Sequence, residues 1–321
     1  SRDRVVSAIY LEETDRVPHF EMGVCNEVLA KITGDKLSSF ENLVKRVKTY
    51  ASLGIDGSII EFGDIGYGTS YKNIDKDTFV DGWGNIFSRA TANTGTYKGA
   101  FYIGGYLNTP EKYQEFHRTF PLPESEQWRV KSMPIYRKAL KVSGENFCIV
   151  PYSGGILDMC MSPIGFKDFF QLVYTNPLFI HRILDDAEKR TIEITGILID
   201  EGAEIVALED DLGHKHGPLL SPKHLAEFYF PRLRRITDFC HSRNVAVILH
   251  SCGNIEPILH NLIEAGVDAI QSLEPTAGMI LGKIKEKHGE EICLIGNMDL
   301  NVLGLGSIKE VIDLVRYSID A

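Results

Sequence analysis

Val245-Ala246-Val247-Ile248-Leu249-His250-Ser251-Cys252-Gly253-Asn254 is the stretch that decides the fold. Its first five residues are apolar and mostly β-branched, the pattern of a strand buried on both faces. A helix is expected to begin near Asn254, so His250 and Cys252 come where the strand ends. In parallel α/β sheets and barrels, active sites gather at that end of the strands. An imidazole and a thiolate two residues apart on an extended chain share a face, and both can reach one cation such as Zn²⁺. The plainer reading is a buried cysteine beside a hydrogen-bonded histidine. The position at a strand end favours a site.

The same strand-then-helix pattern recurs on both sides of this stretch. Short apolar runs at residues 16–22, 57–62, 147–152, 204–209, 245–250, 268–273 and 292–296 read as strands. Helical periodicity covers residues 165–174, 177–200, 222–243, 254–265, 277–288 and 307–319, and Gly266 and Gly289 stand where helix C-caps belong. Repeated βα units predict parallel strands with right-handed crossovers. The architecture expected is a (β/α)₈ TIM barrel forming a single domain over residues 1–321. Seven strands are read, so the eighth is expected beyond Ala321, in a natural C-terminus that the chain lacks; an open doubly wound sheet is the alternative. Residues 63–145 break the rhythm. Their aromatic, glycine-rich first half reads as a hairpin or small antiparallel sheet, followed by a polar helical region containing Pro110, Pro121 and Pro123. This insertion is expected to cap the active-site mouth or to make a subunit contact.

Composition excludes several classes. A net charge of -10 argues against nucleic acid or an anionic membrane as the main partner. No stretch is long and apolar enough to span a bilayer, and Ser1-Arg2-Asp3-Arg4 opens no signal-peptide core. The six cysteines are scattered without a Cys-x-x-Cys pair, which predicts free thiols and a cytoplasmic location.

Several motifs resemble the uroporphyrinogen decarboxylase superfamily. They are Asp3-Arg4-Val5 through Asp15-Arg16-Val17-Pro18, Phe62-Gly63-Asp64-Ile65, Gly217-Pro218-Leu219-Leu220-Ser221-Pro222, and the strand ending at His250. The resemblance runs over essentially the whole chain. It implies the same barrel, and either decarboxylation or the cobalamin-dependent methyl transfer of coenzyme M methyltransferases and O-demethylase components. The decarboxylases carry Arg-Gln-Ala-Gly-Arg after the first strand. Here Glu21-Met22-Gly23-Val24-Cys25-Asn26 stands there, without an arginine to clamp substrate carboxylates. The methyltransferases carry His-x-Cys-Gly-Asn, two of whose side chains ligate zinc, and His250-Ser251-Cys252-Gly253-Asn254 matches it.

The resemblance therefore points to the methyltransferase branch, with Zn²⁺ on His250 and Cys252. It implies a third ligand in a late cysteine expected beyond Ala321; Glu209, Asp210 and Glu274 are the alternatives within the chain. Cys293, at the start of its strand, reads as a core residue. The implied reaction moves a methyl group between a small substrate (a thiol, a methyl ether or a methylamine) and the cobalt of a corrinoid (cobalamin). No Asp-x-His-x-x-Gly motif is present, so the corrinoid is expected on a separate protein partner. A tetrapyrrole decarboxylase and a non-catalytic corrinoid- or porphyrin-binding protein remain as alternatives. Decarboxylase relatives dimerise, which makes a homodimer a candidate.

The run Glu209-Asp210-Asp211-Leu212-Gly213-His214-Lys215-His216-Gly217 is a dense titratable cluster after a strand. At least one of Glu209, Asp210 and Asp211 is expected to act as a partner of the zinc ligands, a direct ligand or a proton donor, with Glu209 and Asp210 assigned to catalysis. Asp64 joins them because it matches the position of the decarboxylases' essential aspartate. Tyr152, Asp211, His214, Glu274 and Asn297 are expected to line the substrate pocket. For the cluster, the plainer reading is a solvated loop with capping acids.

Overall fold

The computed structural model describes residues 1–34, 42–62, 72–89, 100–119 and 125–321. In chain order its strands are β1 (Phe20–Glu21), β2 (Gly57–Ile60), β3 (Lys72–Asn73), β4 (Thr78–Val80), β5 (Asn85–Ser88), β6 (Phe101–Gly105) and β7 (Cys148–Gly154). They continue as β8 (Ile205–Glu209), β9 (Gly213–His214), β10 (Gly217–Pro218), β11 (Ala246–Ser251), β12 (Ala269–Ser272) and β13 (Cys293–Gly296). Seven of them form one parallel sheet in the order β1-β2-β7-β8-β11-β12-β13. That order follows the chain without a reversal. A doubly wound sheet would reverse at a switch point, so the winding is that of a TIM-like barrel. Among the described residues β13 and β1 do not pair, and the barrel is nearly closed.

All seven expected strands are in this sheet. The first is shorter than the apolar run suggested: β1 pairs with β2 only at Phe20↔Gly57 and Glu21↔Ser58. Pro18 has no amide to offer a ladder. The helix expected over residues 222–243 is two helices, Pro222–Phe228 and Phe230–His241. Pro231 cannot donate to the carbonyl one turn back, and the helix breaks just before it.

Side chains alternate between two apolar clusters, as a pleated strand requires. Cys148, Val150, Ile205, Ala207, Ala246, Ile248 and Ala269 fill the barrel interior. Val5 and Ile9 of the N-terminal helix Arg2–Ile9 pack with them. Val206, Leu208, Val247, Leu249 and Ile270 face outward against the helical layer. Burying each such aliphatic side chain contributes roughly 1.5–3 kcal/mol. Every residue of β11 is buried, which is why that strand reads as an unbroken apolar run.

The alternation assigns direction to the residues that follow. Tyr152, Glu209, His250 and Gln271 each come two places after an interior residue, and so face inward at the C-terminal end. Strands β3 to β6 form a separate antiparallel sheet within the insertion. It packs on the helix Asp158–Ile164 that follows β7, where the Tyr102 hydroxyl donates to the Ser162 carbonyl at 2.8 Å. The helices Pro110–Thr119 and Ser125–Ser143 follow it.

Candidate metal centre

His250 is buried at the end of β11, and Cys252 stands just beyond that strand, partly exposed. The Cys252 Sγ lies 3.5 Å from His250 Nε2. Tetrahedral zinc, with its usual bond lengths to sulfur and nitrogen, separates two such ligand atoms by about 3.5 Å. A carboxylate completes the group. Asp211 Oδ1 lies 3.8 Å from His250 Nε2, and it accepts the Cys252 backbone N–H at 2.7 Å. The ligand atoms of Asp211, His250 and Cys252 all fall within 4.8 Å of one another. Sulfur, imidazole nitrogen and carboxylate oxygen are a donor set that suits zinc, and three protein ligands leave a fourth position for a substrate.

The neighbours hold these three atoms in place. The β8–β11 register sets Glu209 beside His250, so an acid two residues further along comes level with Cys252. The Nδ1 of His250 bonds the Oε1 of Gln271 on β12. The turn after Cys252 is held by Glu274, whose Oε2 accepts the Gly253 N–H at 3.0 Å and whose Oε1 accepts from the Thr276 hydroxyl. Gly253 has φ +78°, and a Cβ there would lie 2.3 Å from the backbone carbon of Gly213. This turn and the β9–β10 hairpin therefore pack backbone to backbone, with the Asn254 N–H donating to the His214 carbonyl at 2.9 Å. Burial, then the carboxylates of Asp211 and Glu274, push the Cys252 thiol up to about 11. Without a cation it keeps its proton at neutral pH.

Asp211, read from the sequence as a pocket residue within a cluster that could supply a ligand, lies beside the two zinc-ligand candidates. Glu209 faces the mouth close enough to act electrostatically on Tyr152 and Asp158. Tyr152 lines the same interior, and burial raises its phenol well above the ordinary range. The expected catalytic role of Asp210 meets a different placement. Its position is one residue out of phase with Glu209 and Asp211, and it is fully buried on the helix side. It accepts the N–H groups of Ile156 (2.9 Å), Leu157 (2.6 Å) and Asp158 (2.9 Å) and the Tyr229 hydroxyl (3.0 Å). It thus caps the chain entering the helix Asp158–Ile164, away from the three ligand atoms.

Asn297 is likewise a buried clamp, donating to the carbonyls of Leu273 (2.6 Å) and Met279. Leu273 has φ +51° and Asn297 φ +63°, so both bends at these strand ends are left-handed. The exposed His214 ring accepts the His216 N–H at 3.2 Å and serves its own hairpin. Asp64 lies outside the described residues. Two residues near the centre were not anticipated. Asp158 accepts the Asp211 N–H at 3.0 Å, and burial raises its carboxyl. Gln271 is the other. No motif marks either one; only strand pairing and the chain's return after β7 bring them in.

A family profile described as uroporphyrinogen decarboxylase (URO-D) matches residues 102–321. The chain belongs to the uroporphyrinogen decarboxylase family. Within it, the chain is 24% identical over 170 residues to methylcobamide:CoM methyltransferase MtaA of Methanosarcina barkeri, covering 52% of this chain and 48% of that protein. It is 28% identical over 197 residues to the uroporphyrinogen decarboxylase of Aliivibrio salmonicida, covering 57% and 52%. The chain thus spans about half the length of these curated relatives. Among solved structures, a methyltransferase from Methanosarcina mazei shares the fold. Its TM-score is 0.64 at 16% identity, over 99% of this chain and 98% of that one. The described residues contain no helix long and apolar enough to cross a membrane.

Proposed function

We propose that this protein is a zinc-dependent methyltransferase that moves a methyl group between a small substrate and a corrinoid carried by a separate protein. The observation that carries the reading is the meeting of His250, Cys252 and Asp211 within 4.8 Å at the C-terminal end of the barrel. Similarity to a protein named for methylcobamide:CoM methyl transfer supports it. The acids Glu209, Asp158, Asp211 and Glu274, gathered at one mouth, oppose a substrate bearing several carboxylates. So does the arginine-free segment from Glu21 to Asn26.

Bound at this centre, zinc would supply Lewis acidity, holding a thiol as its thiolate or drawing charge from the atom that a methyl group leaves. The chain's own residues do the rest. Cys252 would give up its proton on binding the metal, and His250 would present Nε2 to it. Asp211 contributes charge through Oδ1 while fixing the Cys252 backbone. Glu274 holds the turn, so the three donors keep their spacing without the metal.

The first test is the zinc content of the protein purified without added metal, alongside Cys252→Ser. About one zinc per chain, lost in the variant, is expected for a single site of this donor set. Methyl transfer from methylcobalamin is then the activity to measure. A metal-free wild-type protein that decarboxylates a porphyrinogen would overturn the reading.

A further inference from the structure

The β11–β12 register sets His250 directly opposite Gln271. Gln271 continues the inward row begun by Ala269, so its amide lies in the plane of the candidate centre and not in the helical layer. An amide oxygen can only accept a hydrogen bond. The contact between His250 Nδ1 and Gln271 Oε1 therefore requires the proton on Nδ1. In a neutral imidazole, Nε2 then carries the lone pair. On the far side of the ring Cys252 Sγ stands 3.5 Å from Nε2, where a thiol can either donate or accept, so the Gln271 contact alone selects the tautomer.

We infer that Gln271 is a positioning residue: it selects the Nδ1–H tautomer of His250 and so presents Nε2 as the ligating atom. Its functional sense rests on the zinc reading above. The choice of a neutral amide has a physical consequence. A carboxylate in this position would hold the same tautomer but add charge to a mouth that already carries Glu209, Asp158, Asp211 and Glu274. Glutamine orients the ring and leaves that charge unchanged.

Nitrogen-15 NMR of the His250 ring in the metal-free protein tests the inference. Wild type is expected to carry its proton on Nδ1; finding it on Nε2 overturns the inference without any variant. In Gln271→Leu, of similar size but with no acceptor, the population is expected to move toward the Nε2–H form. Zinc affinity is expected to fall about 10–100-fold, and Gln271→Glu should restore both. An unchanged tautomer with unchanged affinity in Gln271→Leu also overturns it. If wild type binds no zinc yet the tautomer still follows residue 271, the metal reading fails and the positioning role stands.

Discussion

The Cys252 thiol sits between two carboxylates, and this ties its chemistry to a cation. Burial, Asp211 and Glu274 hold its proton until about pH 11, whereas a metal-bound sulfur must be a thiolate. Binding therefore releases that proton at any lower pH, and raising the pH favours binding. The cysteine alone should make zinc affinity climb about tenfold per pH unit around neutrality, measured by competition with a chromophoric chelator. A flat profile would show that the sulfur is not a ligand. Asp211 can be separated into its two jobs. Asp211→Ala removes both the charge and the acceptor for the Cys252 N–H, and should weaken zinc binding by at least about tenfold. Asp211→Asn keeps the acceptor, so it should retain the turn geometry and recover only part of the affinity. Equal losses in the two variants would mean that charge is all that matters.

Within elements, the two-residue alternation of a strand separates roles that look alike in one run of acids. Glu209 and Asp211 share the inward face, while Asp210 points at the helical layer and holds three amides and a tyrosine hydroxyl. Asp210→Ala should therefore act on stability. Leaving several buried donors without an acceptor costs about 3 kcal/mol or more, which urea denaturation would read as a lower midpoint. Little change in the midpoint would contradict the capping role. At the turn after β11, Gly253→Ala meets both a left-handed backbone and a contact of 2.3 Å to Gly213. It should displace the 252–254 turn from the β9–β10 hairpin and abolish tight zinc binding, while circular dichroism shows the barrel intact. Much of this was legible. His250 and Cys252 announced themselves through spacing and a strand end, and the parity of Glu209, Asp210 and Asp211 was there to be read once β8 was located. The helix break before Pro231 departs from the single helix that the periodicity suggests, although the proline itself carries the signal. Gln271 and Asp158 were not legible, because nothing local distinguishes a pairing glutamine or a helix-entry aspartate from any other.

On the scale of the molecule, the sheet runs in chain order but leaves β13 and β1 unpaired among the described residues. Beside β13 lie two helices with an uncovered apolar face. Leu300 is 79% exposed, Leu305 88% and Ile308 81%, and Ile312, Val315 and Ile319 continue the face along the helix Ile308–Asp320. Isolated apolar side chains on a surface are ordinary, but a continuous face of this kind seeks cover. Residues 1–321 on their own should therefore associate with rising concentration in analytical ultracentrifugation. Leu305→Glu combined with Ile308→Lys should keep them monomeric. A wild-type chain that stays monomeric at high concentration would mean that this face is tolerated bare.

The sequence by itself determined the strands, their parallel order and the two residues that look like zinc ligands, because burial on both faces and a period of two are written along the chain. Only the tertiary structure decided which acid meets them. That choice depends on the register between β8 and β11, on the phase of the chain leaving β8, and on a turn held by Glu274 from the loop after β12. Such relations join residues far apart in sequence, and no local pattern encodes them.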